Sequence, residues 1–103
     1  MRNHSRESSL QRILEQLRQA LPDLHHRYAV VSMSVFGSQA RESSGPLSDV
    51  DALVEFTRPP GFFRFVELED ELSRLLGVKV DLVLRSALRP KIRQRVLDEA
   101  VRV

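Results

Sequence analysis

The chain has 103 residues, 42% of them hydrophobic and 29% charged, the balance of an ordinary globular protein with one domain (1–103) and a single core. Its 16 basic and 14 acidic residues leave a formal net charge of only +2, which gives no ground for direct nucleic-acid binding, and the absence of cysteine excludes disulfides, thiolate metal sites and a cysteine nucleophile. No stretch resembles a signal peptide or reaches membrane-spanning length, so the expectation is a cytoplasmic protein with no membrane partner.

Residues 1–8 are polar and expected to be flexible. From Ser9, Leu10, Ile13, Leu14, Leu17, Ala20 and Leu21 recur at three- and four-residue spacings, which predicts an amphipathic helix capped by Ser8 or Ser9 and ended by Pro22. "YAVVSMSVF" (28–36) is rich in β-branched and aromatic residues and stops at Gly37, so it reads as a strand. Simple alternation puts Val31, Met33 and Val35 on one face and Val30, Ser32, Ser34 and Phe36 on the other, with Tyr28 packing at the strand edge. "SQARES" reads as a short helix from Ser38, "SGPLS" as a loop, "DVDALVEF" as a second strand and "TRPPG" as a turn. Phe62, Phe65, Leu68, Leu72, Leu75 and Leu76 mark a helix over 62–76, closed by Gly77. "VKVDLVL" (78–84) is the third strand. A last helix follows from Ala87, with Pro90 in its first turn and Ile92, Val96, Leu97 and Ala100 on its apolar side. The order predicts an α/β (α+β) fold, a small mixed sheet with helices packed on it, and leaves the strand directions open.

The chemistry concentrates between Gly37 and Asp51. Asp49 and Asp51 lie two apart at a strand start, so both side chains share one face. Carboxylates that close repel each other, and a hard divalent cation such as Mg²⁺ relieves the repulsion while keeping positions open for substrate phosphates. Asp81 interrupts an apolar strand, where an isolated charge is costly. If its strand neighbours that of Asp51, three carboxylates converge, enough for two Mg²⁺ ions and an in-line phosphoryl displacement. Gly37 lets the backbone turn sharply at a strand end, Ser38 would open a helix whose N–H groups face an anion, and Arg41 stands one turn on.

"GSQARESSGPLSDVD" followed by "VDLVL" resembles the DNA polymerase beta-like nucleotidyltransferases, with their glycine-serine pair, ten residues, Asp-x-Asp and a third aspartate on a later strand. Over roughly 10–103 the chain is similar to the minimal nucleotidyltransferases (MNT), antitoxins of HEPN/MNT toxin–antitoxin pairs, and "IRQRVLDEAVRV" looks like their last helix and tail. The resemblance implies that Gly37 and Ser38 form the phosphate-binding turn of an ATP site, with Arg41 beside it. It also implies that Asp49, Asp51 and Asp81 are catalytic metal ligands, Asp81 serving also as base for the incoming hydroxyl. It implies transfer of AMP from ATP to a tyrosine of a HEPN ribonuclease toxin, which silences the toxin in a hetero-oligomeric complex. Glu42 departs from the pattern, standing where many relatives carry glycine.

Two other functions fit the same resemblance: an antitoxin that masks its toxin by binding alone, and an enzyme acting on small acceptors such as aminoglycosides. Outside the motif, His4, His25 and His26 have no partner at metal-ligand spacing and read as solvent-facing. Arg85, Arg89, Lys91, Arg93 and Arg95 read as a solvated helix face, with contact to an acidic partner or RNA as the alternative.

Overall fold

The computed structural model describes residues 9–41 and 49–103. The expectations for 1–8, Ser8 and His4, for Glu42 and for the "SGPLS" loop lie outside these residues. Among the described residues the order is α1 (Ser9–Tyr28), β1 (Val30–Phe36), β2 (Val50–Phe56), α2 (Phe62–Leu76), β3 (Val80–Leu84), a 3-10 turn (Arg85–Ala87), α3 (Pro90–Glu99) and β4 (Val101–Arg102). The strands form one sheet in the order β3-β2-β1-β4. β1 is antiparallel to β2 and to β4, whereas β2 and β3 are parallel. No described helix is long and apolar enough to cross a membrane.

The core lies between one sheet face and α1 with α2. Val30, Met33, Val35, Val50, Ala52, Val54, Val80 and Leu82 are buried against Leu10, Leu14, Leu17, Leu24, Leu68 and Leu72. The other face carries Ser32, Ser34, Asp51, Leu53 and Glu55, and this division by strand parity separates packing from chemistry.

Pro22 does not end the first helix, which runs on to Tyr28. Pro22 removes one helical hydrogen bond, but its exposed ring faces away from the core while Leu24 and Tyr28 continue the apolar stripe, 1% and 5% exposed. Burying those two side chains, worth about 1.5–3 kcal/mol apiece, outweighs the local break. Tyr28 is therefore a helix-end anchor rather than a strand-edge residue. Its hydroxyl donates to Glu71 Oε1 at 2.9 Å, and the Arg64 guanidinium lies 4.2 Å from its ring centre, tying α1 to α2. Ala29, at φ 65°, makes the turn into β1. His25 is exposed, as expected, and its Nδ1 donates to the Val30 carbonyl at 2.8 Å.

Within β1 a bulge at Val31 breaks the expected alternation: Val30 pairs with Phe56 but Ser32 with Glu55. Val30 thereby joins Met33 and Val35 in the core, and Val31 turns outward, 47% exposed. In α2, Leu68 and Leu72 are fully buried and Phe65 and Leu76 pack at the margin, whereas Phe62 is 74% exposed at the helix start and Leu75 lies off the buried stripe. Gly77 closes α2 at φ 73°.

β3 is an edge strand, and α2 occupies its outer N–H groups: Val80 N donates to Ser73 Oγ and Leu82 N to Glu69 Oε2, at 2.9 and 2.8 Å. That blocks pairing with a foreign strand and fixes β3 beside β2. β4 lay unrecognised within the predicted tail of the last helix, and of the basic residues Arg85 to Arg95 that precede it, Arg85 pairs with Glu55 at 3.2 Å. Replacing Pro22 with Ala restores the missing helical bond on an exposed surface. Chemical denaturation should show a gain of about 2 kcal/mol, the roughly 3 kcal/mol cost of an interior proline less the restriction proline places on the unfolded chain.

Candidate active site

β2 and β3 pair in parallel with Asp51 level with Asp81, and on the other side of β2 Phe36 is level with Asp51. Two carboxylates thus stand on adjacent strands at the end of the polar sheet face, where like charges directly opposite repel. Val50 N donates to the Lys79 carbonyl at 2.9 Å, which pins the start of β2 against the start of β3. Asp49 precedes β2 and is exposed, while Asp51 and Asp81 are half-buried. The Lys79 ammonium is 3.7 Å from Asp81 Oδ1.

Gly37 follows Phe36 directly and brings the backbone onto the Asp51 carboxylate. Its φ is +77°, and a Cβ built there would collide with the carboxylate, lying only 3.3 Å from Asp51 Cγ. Glycine is required on both counts, positive φ and close approach. Of the helix predicted from Ser38, the described residues form a turn over 37–41, in which Arg41 N donates to the Gly37 carbonyl at 3.1 Å.

Burial pushes Asp51 above the usual carboxylate range; the charges of Asp81 and Asp49 push it further, Arg41 pulls against them, and Glu99 adds to the rise. Asp51 therefore senses three other acids and one cation. Glu99 is a site residue that the sequence analysis does not single out. Its carboxylate accepts the Gly37 N–H at 2.9 Å and pairs with Arg41 at 3.1 Å. The alternating "VRV" that follows was the available hint, since pairing that segment with β1 is what delivers Glu99 to the turn.

Among the described residues, no three acidic or histidine side chains stand close enough to hold an ion as they are. The donor chemistry nevertheless suits a hard divalent cation: oxygen ligands, and an Asp51 whose charge is disfavoured until a cation joins it. The structure brings Gly37, Arg41, Asp51 and Asp81 together, with Asp49 at the approach; Ser38 is half-buried in the same turn.

A family model for the nucleotidyltransferase domain matches residues 12–103. The chain belongs to the nucleotidyltransferase family. A protein adenylyltransferase, MntA, of Thermococcus cleftensis is 44% identical over 81 residues, 79% of this chain and 82% of that one. A solved structure provisionally assigned as a minimal nucleotidyltransferase is 40% identical, covering 85% of this chain and 93% of its own, with TM-score 0.70. A complex of a tri-AMPylated Shewanella oneidensis HEPN toxin with its MNT antitoxin shares the fold at 21% identity and TM-score 0.58, covering 91% of this chain and 67% of the matched one. The mixed sheet and its helices are thus those of the minimal nucleotidyltransferases, the expected fold.

Because the folded protein holds Asp51 above its ordinary value of 3.8, metal-free stability is greatest with Asp51 protonated and falls as pH rises through its folded pKa. Asp51→Asn, a neutral isostere, should melt higher than the wild type at pH 7 in chelator, and the difference should shrink below about pH 4, as scanning calorimetry across pH would show. Gly37→Ala should lower stability by about 1–3 kcal/mol through backbone strain and displace Asp51, read by denaturant titration.

Proposed function

We propose that this protein is a Mg²⁺-dependent antitoxin that transfers AMP from ATP to a hydroxyl, a tyrosine by preference, of a cognate HEPN toxin, with which it forms a hetero-oligomer in the cytoplasm. The observation that carries the proposal is the placement of Asp51 level with Asp81, with the Gly37 turn against the Asp51 carboxylate. The names of its relatives supply the acceptor class: one is a protein adenylyltransferase, and another assembles with a HEPN toxin that carries AMP.

Asp49, Asp51 and Asp81 would hold Mg²⁺, which when bound neutralises phosphate charge and favours the ionised acceptor. Gly37 and Ser38 would seat the outer phosphates, helped by Arg41. The acceptor oxygen attacks the α-phosphorus, the bond from that phosphorus to the β-phosphate bridging oxygen breaks, and pyrophosphate leaves with the bonding pair. Asp81 takes the hydroxyl proton and passes it to solvent.

Incubation with the cognate HEPN protein, ATP and Mg²⁺ should add AMP mass increments to the partner in intact-protein mass spectrometry. Asp49→Asn and Asp51→Asn should each cut the rate by at least about a hundredfold, the scale set by removing one group that stabilises transition-state charge, and chelator should do the same. A partner that stays unmodified yet is bound and silenced would establish masking by binding instead.

A further inference from the structure

Glu99 ends α3 and meets both ends of the Gly37 turn. Its Oε1 accepts the Gly37 N–H at 2.9 Å, and Arg41 Nη1 lies 3.2 and 3.1 Å from its two oxygens. The encounter is set by sheet register. β4 pairs Val101 with Val35 and Arg102 with Ser34, and the same register continued beyond the ladder places Glu99 opposite Gly37. The Glu99 side chain is 25% exposed against 53% for Arg41, so the anchor is the more enclosed partner.

Both contacts to Glu99 use a single terminal nitrogen of Arg41, and a guanidinium carries five N–H donors in a fixed fork. Glu99 thus orients the fork through one nitrogen, and among the described residues no contact takes up the other two. An arginine loses considerable rotamer freedom when fixed, and a contact that fixes it beforehand removes that cost from ligand binding. Arg41 is close enough to Asp51 to favour its ionised form, so the oriented guanidinium lies in the neighbourhood of the carboxylate site.

We propose that Glu99 is a positioning residue for the nucleotide: it ties the end of α3 to the Gly37 turn and aims Arg41 at the site of the ATP phosphates. The proposal rests on the nucleotidyl-transfer function proposed above. A carboxylate beside an anion site has the opposite potential effect, competition with the phosphates, and the two effects move ATP affinity in opposite directions.

The test measures ATP binding by calorimetry with Mg²⁺, and steady-state AMP transfer, for the wild type, Glu99→Ala, Glu99→Gln, Arg41→Ala and the Glu99→Ala/Arg41→Ala double variant, each shown folded by circular dichroism. Loss of a hydrogen-bonded charge pair predicts ATP binding weakened about tenfold in Glu99→Ala, a matching rise in KM and kcat within about threefold. Glu99→Gln, which keeps an acceptor for the Gly37 N–H, should fall between it and the wild type. If Glu99 acts through Arg41, the double variant binds ATP within about twofold of Arg41→Ala alone. Unchanged or tighter ATP binding by Glu99→Ala, or effects that multiply in the double variant, would overturn the proposal. Wild-type protein that neither binds ATP nor transfers AMP would overturn the functional assignment itself, and this proposal with it.

Discussion

The parallel pairing of β2 with β3 is the constraint on which the site depends, because it holds Asp51 and Asp81 side by side against their mutual repulsion. Neither carboxylate is able to retreat. Val50, Ala52 and Val54 on the opposite face of β2, and Val80 and Leu82 on that of β3, are buried under α1 and α2, so a one-residue slip of either strand would turn those apolar side chains out to water. Hydrophobic burial on one face of the sheet thus maintains an electrostatically unfavourable arrangement on the other.

The same division explains how the surrounding elements serve the site. α2 covers one side of the core and also reaches over the β3 edge with Ser73 and Glu69, so the strand that carries Asp81 has its outer N–H groups occupied. β4 is only two residues long, yet its pairing with β1 brings the end of α3 to the Gly37 turn. Between these two edges Gly37 bears a left-handed backbone conformation and a carboxylate too near for any side chain. Local strain and like charge gather at one end of the sheet, while the packing that tolerates them lies elsewhere.

A carboxylate whose ionisation is opposed by burial and by neighbouring acids is stabilised by whatever cation joins it. The opposing partners within reach are Arg41 for Asp51 and Lys79 for Asp81, and each is engaged from an exposed position. Such exposed ion pairs are weak and exchangeable, which suits a site that has to admit a cation and a polyphosphate together.

Much of this was legible in the sequence. Apolar spacing set the span of α2 and its glycine cap, β-branched runs marked three strands, and an aspartate inside an apolar strand singled out Asp81, because these signals depend on neighbours a few residues away. Tertiary structure alone decided the rest. Pro22 lies within α1 because Leu24 and Tyr28 find a core to enter, and Val31 turns outward because β2 imposes a bulge on β1. The Ser38 segment closes as a turn over residues whose positions are set by Asp51 and Glu99. Whether Asp81 would stand beside Asp51 depended on strand order and direction, which no local pattern encodes. Glu99 was beyond reach for the same reason: it lies 62 residues from Gly37, and only the register of β4 against β1 makes them neighbours.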